Sequence, residues 1–169
     1  MASFQPLNFI PKHRQAHILE SPVQSMIAVP HSKKAGTNHW CLYLLTSYRS
    51  SVRIDCQPSY SVPSTILPGG SKAYLSYTVS RDAQAQFLLS VAPGLKVRHV
   101  YDLLVQNGRH KYEFDSNGVG CRFWTTDQIN LLHQHRLIMN AAQVTAAKNG
   151  IVKLWPDQTP LGLDLGAYY

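Results

Sequence analysis

The stretch Asn38-His39-Trp40-Cys41-Leu42-Tyr43-Leu44, which follows a break at Gly36-Thr37, decides the fold. Its aromatic and aliphatic residues favour a strand, and a strand holds His39 rigidly at its entrance. A second stretch of the same character, Ser51-Val52-Arg53-Ile54-Asp55-Cys56-Gln57, follows after only Thr46-Ser47-Tyr48-Arg49-Ser50. So short a loop predicts an antiparallel hairpin. Alternate residues of a strand face opposite ways, so Val52, Ile54 and Cys56 form an apolar face and Arg53, Asp55 and Gln57 the other. Asp55 therefore lies outside the apolar layer, on the strand next to the one that carries His39.

Outward from this hairpin, residues 1–22 are polar and proline-containing and are expected to wrap the surface, and 25–30 reads as a first short strand. Residues 58–70 hold three prolines and two glycines and must be a loop. A further strand pair is predicted over 74–80 and 86–91, turning at Arg81-Asp82-Ala83. Apolar residues at Val97, Val100, Tyr101, Leu103 and Leu104 predict a helix over 97–106, stopped by Asn107-Gly108. A short strand at 111–114 and a glycine-rich turn at 115–120 then deliver Cys121 to one long helix. That helix is expected to bury Phe123, Trp124, Ile129, Leu132, Leu137 and Ile138, and to end near Lys148 at Asn149-Gly150. The fold class is α+β, an antiparallel sheet packed against helices. It forms a single domain over 1–169, with its core at about 25–148 and a tail at 149–169 packing on it.

Composition narrows the function. At 169 residues, 44% hydrophobic and 15% charged, the chain can bury one core. Cys41, Cys56 and Cys121 are too few and too far apart for a disulfide framework or a zinc knuckle, so a reducing, cytoplasmic setting is expected, with no metal and no cofactor. His133 and His135 lack the i, i+4 spacing of a helical metal site. The start of the chain lacks a secretory signal pattern, and no run of about 18 apolar residues predicts a transmembrane segment. The net charge of +7 is scattered, with only Lys33-Lys34 and His110-Lys111 clustered, so nucleic acid is not the expected partner. A small-molecule or peptide substrate is, and the oligomeric state stays open.

The chemistry lies in Cys121 and His39. A cysteine at a helix N-terminus sits among unpaired N–H groups and the positive end of the helix dipole, which favours thiolate. His39 would serve as its base, and Asp55 would take the other imidazole N–H and stabilise the imidazolium. The N–H of Cys121 would contribute to an oxyanion hole. Trp40, Cys41, Gln57 and Trp124 are the candidate substrate-binding residues. The expected geometry is a thiol and an imidazole meeting in a partly open cleft.

The order of these motifs carries a resemblance. His39-Trp40-Cys41-Leu42-Tyr43-Leu44 and its hairpin to Val52-Arg53-Ile54-Asp55-Cys56-Gln57-Pro58 resemble the HW-aliphatic-Tyr hairpin of the lecithin:retinol acyltransferase and H-rev-like phospholipase/acyltransferase group. Residues 96–124, ending in Gly120-Cys121-Arg122-Phe123-Trp124, are similar to that group's helix, short strand and NCEHF element. The resemblance covers roughly residues 36–135 and implies a circularly permuted, NlpC/LRAT-like papain fold in which histidine precedes cysteine. By it, His39 matches the base, Asp55 the third polar position and Cys121 the nucleophile. The chain also resembles uncharacterised fungal proteins that share the HW and GCRFW elements. It departs from the group in three ways: Gly120 replaces the asparagine before the cysteine, Asp55 stands where histidine is common, and a hydrophobic C-terminal anchor is missing.

The expected function is that of a cysteine hydrolase or acyltransferase, working through an acyl-enzyme on an amide, peptide or ester. Two alternatives stay open: a catalytically inactive papain-like binding domain, and a non-hydrolytic biosynthetic enzyme such as a cyclase.

Overall fold

The computed structural model describes residues 12–34, 36–57, 70–76, 79–114 and 119–168. Most of the predicted 58–70 loop, and residues 115–118 of the predicted turn, lie outside the described residues. The elements run α1 Lys12–Leu19, β1 Ser25–Lys34, β2 Thr37–Ser47, β3 Ser50–Gln57, β4 Gly70–Ser76, β5 Phe87–Leu89, α2 Val97–Gln106, β6 Tyr112–Glu113, α3 Cys121–Gln134, α4 Ala141–Ile151 and β7 Ala167–Tyr168. They form an α+β fold whose main sheet is antiparallel, in the order β4-β3-β2-β1-β5. Among the described residues, no helix is long and apolar enough to cross a membrane.

The predicted hairpin is β2–β3, in register through Leu42↔Ile54, Tyr43↔Arg53 and Leu44↔Val52. Strand parity then sorts the two faces. Trp40, Leu42, Leu44, Val52, Ile54 and Cys56 point to the helices and join Val100, Trp124, Ile129, Leu132 and Ile151 in the main core. Ile27, Val29, Cys41 and Tyr43 form a smaller cluster on the opposite face, against Leu45, Val79 and Ala83. Both faces are thus covered, and Asp55 is fully buried on the smaller side.

Three expectations need correction. Residues 12–19 form a helix that buries Ile18 in the core, where a surface wrap was predicted. The strands predicted as a pair about Arg81-Asp82-Ala83 do not pair: β4 adds to β3 and β5 adds to β1, on opposite edges of the sheet. The single long helix is two helices. Arg136 turns to positive φ (61°), and the main chain of 137–139 bonds instead to that of 90–92, through Ala92 N–H to the Leu137 carbonyl (3.0 Å) and Met139 N–H to the Ser90 carbonyl (2.9 Å). Asn140 then caps α4 by accepting from Gln143 N–H at 3.1 Å. Asn149-Gly150 does not end this helix; Gly150 lies within it, where a Cβ would collide with the Phe87 ring.

β1 contains a bulge between Pro30 and Lys33, opposite the start of β2. Proline has no N–H to give a ladder and is at home beside such an irregularity.

Candidate active site

His39 stands at the second residue after the start of β2, with its side chain a quarter exposed. Its Nε2 is in short hydrogen-bond contact with Asp55 Oδ1. The other carboxylate oxygen of Asp55 accepts from Arg53 Nη2 at 2.9 Å. Arg53 and Asp55 share a face of β3 at i, i+2, so one strand supplies both the carboxylate and the cation that holds it. Arg53 also lies over the Tyr43 ring, 5.9 Å from its centroid.

Cys121 comes from the helix side. It opens α3, and the first intrahelical bond runs from Trp124 N–H to the Gly120 carbonyl (3.0 Å). Gly120 has φ +151°, a conformation that L side chains rarely adopt, and a Cβ there would sit 3.1 Å from Tyr112 Oη. That hydroxyl donates to the Gly120 carbonyl at 3.0 Å and accepts from Gly166 N–H at 2.9 Å, which fixes the turn before the cysteine. Cys121 Sγ donates to the Asn38 carbonyl at 3.8 Å, and its side chain also meets that of His39. Cys121 is only 4% exposed, whereas the His39 side chain is a quarter exposed.

The structure therefore brings Cys121, His39 and Asp55 together. Burial works against a charged imidazole at His39, but the hydrogen bond it donates to Asp55 and the contacts with Cys121 and Cys41 outweigh it, and the pKa is raised above its ordinary value. Cys41, fully buried, touches His39 as well, and burial pushes its thiol pKa up. His39, Cys41 and Asp55 each offer one metal-ligand atom, and these atoms all lie within 4.8 Å of one another. The i, i+2 spacing of His39 and Cys41 on a strand was the signal for that cluster.

The remaining expected residues fall elsewhere. Trp40 and Trp124 are fully buried on the helix side, Trp40 against Phe87 at 5.7 Å and Trp124 donating Nε1–H to the Arg109 carbonyl at 2.8 Å. Both are core residues and not a substrate wall, because their parity and helical position point them into the main core. The side chain of Gln57 lies outside the described residues.

Three supporting residues escaped the sequence reading. Asn38, fully buried, donates Nδ2–H to the carbonyls of His31 (2.8 Å) and Trp155 (3.0 Å) and accepts from Trp155 N–H (2.7 Å). Arg122, next to the cysteine, donates to the carbonyls of Ile151 (2.8 Å), Gly162 (2.6 Å) and Leu161. His31 donates Nδ1–H to Asp82 Oδ1 (2.7 Å), and its Nε2 accepts from Tyr43 Oη (3.3 Å). Its ring centroid lies 6.5 Å from that of His39. Burial lowers the His31 pKa, whereas that of its neighbour His39 is raised.

Residues 23–169 match the family described as "Domain of unknown function (DUF7770)", and the chain belongs to that family. No curated protein and no solved structure matches the chain.

Proposed function

We propose that this DUF7770 chain is a thiol-dependent hydrolase or acyltransferase with a permuted papain-like, NlpC/LRAT-like core, acting on an amide, peptide or ester. The observation that carries this reading is the position of one imidazole between a buried carboxylate and a helix-starting cysteine. With Nε2 committed to Asp55, Nδ1 is the ring nitrogen left for the thiol proton.

In the reaction, Cys121 Sγ attacks the substrate carbonyl, a C–S bond forms and the carbonyl π pair moves to oxygen. The N–H of Cys121, at the α3 N-terminus, donates to that oxyanion. Collapse expels the amine or alcohol, which leaves with the proton held on His39. Water or a second amine then attacks the acyl-enzyme, gives its proton to His39 and releases Cys121. Asp55, itself held by Arg53, keeps the imidazole oriented and balances its charge throughout.

A second reading is a catalytically silent papain-like domain, favoured by the 4% exposure of Cys121. Alkylation of the native chain by iodoacetamide at mildly acidic pH, resolved by peptide mass, separates the two. The enzyme reading expects Cys121 to label ahead of Cys41 and Cys56, and expects His39→Ala to abolish that lead. Equal labelling of the three, or a lead that survives His39→Ala, sinks it and leaves the silent domain.

A further inference from the structure

We infer that His39, Cys41 and Asp55 form a binding site for a thiophilic divalent cation, of the zinc or cobalt class, that blocks the Cys121–His39 pair. The ion would be a resident of the smaller sheet face, held by adjacent strands. Its inhibitory role rests on the thiol-enzyme reading above; its binding does not.

Three observations support the site. The candidate ligand atoms lie within 4.8 Å of one another. A tetrahedral zinc with bonds of about 2.1–2.3 Å sets its ligands roughly 3.5 Å apart, so side-chain rotations of about an ångström close the set. His39 Nε2 and Asp55 Oδ1, now in direct contact, part to admit the ion.

The second observation is placement. Cys41 and Asp55 are fully buried, while the His39 side chain is a quarter exposed and forms the rim by which an ion enters. β2 and β3 are hydrogen-bonded neighbours, so the ligands sit on rigid elements.

The third is donor chemistry. One thiolate, one imidazole and one carboxylate select zinc-like ions over magnesium or calcium, which need mainly oxygen. The Cys41 thiolate and the Asp55 carboxylate together match the two charges of the ion. Arg53 bonds the carboxylate oxygen that does not face His39, and its side chain also contacts Cys41, so it orients two of the ligands from outside the set. Three protein ligands leave one position open, and an ion there occupies the His39 nitrogen that Asp55 now holds. His39 is then pulled out of its alignment with Cys121.

The test is a cobalt titration of the full, reduced chain, read by the sulfur-to-metal charge-transfer absorption. One equivalent should produce the band. Cys41→Ser and Cys41→Ala should each weaken binding by about 100-fold or more, beyond the roughly 10–100-fold that an outer-shell loss costs. Cys121→Ser and Cys56→Ser should keep the band. No band in the wild type, or a band that persists in correctly folded Cys41 variants, overturns the site. In parallel, zinc should slow alkylation of Cys121 in proportion to occupancy, chelation should reverse it, and Cys41→Ser should remove the effect. Unslowed alkylation at full occupancy overturns the blocking role. A Cys121 that is inert without metal counts against the enzyme reading alone, because the cobalt band is read independently of it.

Discussion

Asn38 and Trp155, 117 residues apart in the chain, are joined through both main-chain groups of Trp155: the Asn38 amide accepts from its N–H at 2.7 Å and donates to its carbonyl at 3.0 Å. The residue before His39 thus grips the C-terminal segment with its side chain and the Cys121 thiol with its carbonyl. We expect the tail as well as the sheet to set the distance between thiol and imidazole.

Asn38→Asp tests this. A carboxylate still accepts from Trp155 N–H but cannot donate to the carbonyls of Trp155 and His31, and its charge would be buried. We expect a loss of about 2–4 kcal/mol in urea unfolding. We also expect slower Cys121 alkylation in the still-folded protein. Undiminished alkylation would show that the tail does not align the pair.

Asp55→Asn leaves the shape nearly intact but removes the charge that supports an imidazolium. Turnover of an ester or amide substrate should fall about 10⁴-fold, with circular dichroism unchanged. Stability should also drop, because Arg53 then keeps a half-buried charge without its carboxylate. A fall of less than about tenfold would remove Asp55 from the mechanism.

Arg122→Met strips the donors from three carbonyls of the tail. Unpaired carbonyls at about 1 kcal/mol each predict a loss near 3 kcal/mol. For a chain of this size that lowers Tm by roughly 6–12 °C, read by calorimetry. Arg122→Lys should recover little of it, since a single ammonium cannot span the three acceptors.

His31 gives the pH dependence. Its folded-state pKa is lowered, chiefly by burial, so below the ordinary value near 6.5 the unfolded chain takes up a proton that the folded chain refuses. Stability should therefore be fully present above about pH 6.5 and decline as pH falls beneath it. Asp82, exposed on one side but hydrogen-bonded by Ser80 and His31, has a pKa lowered to about 2 against burial, and adds a second decline between about pH 4 and 2. Denaturant midpoints measured from pH 8 to 5 for wild type and His31→Gln should converge as pH falls. Parallel curves would mean that His31 takes up its proton as readily in the folded chain as in the unfolded one.

Local signals carried far in this chain, and then failed at identifiable points. The β2–β3 hairpin and the burial of Trp124, Ile129 and Leu132 followed from strand and helix periodicity. Strand parity and a glycine turn likewise marked His39, Asp55 and Cys121, which the fold brings together. The break between α3 and α4 was invisible because residues 134–140 contain neither glycine nor proline; bonds to the distant 90–92 segment decide it. The turn at 81–83 looked like a hairpin because turn chemistry is local, whereas the choice of sheet edge is not. Asn38 and Arg122 were missed for the same reason: their partners in the C-terminal segment lie 29 to 117 residues away.

The bulge in β1 has its own consequence. A regular strand offers only every second residue to one face, yet His31 and Ser32 both reach the same loop, His31 through the Asp82 carboxylate and Ser32 through the Asp82 carbonyl at 3.4 Å. The pairs on either side, Pro30↔Trp40 and Lys33↔Asn38, would keep their partners if Ser32 were deleted. The chain therefore has a place where a one-residue deletion would change the surroundings of His31 while leaving the strand pairing that frames His39 in register.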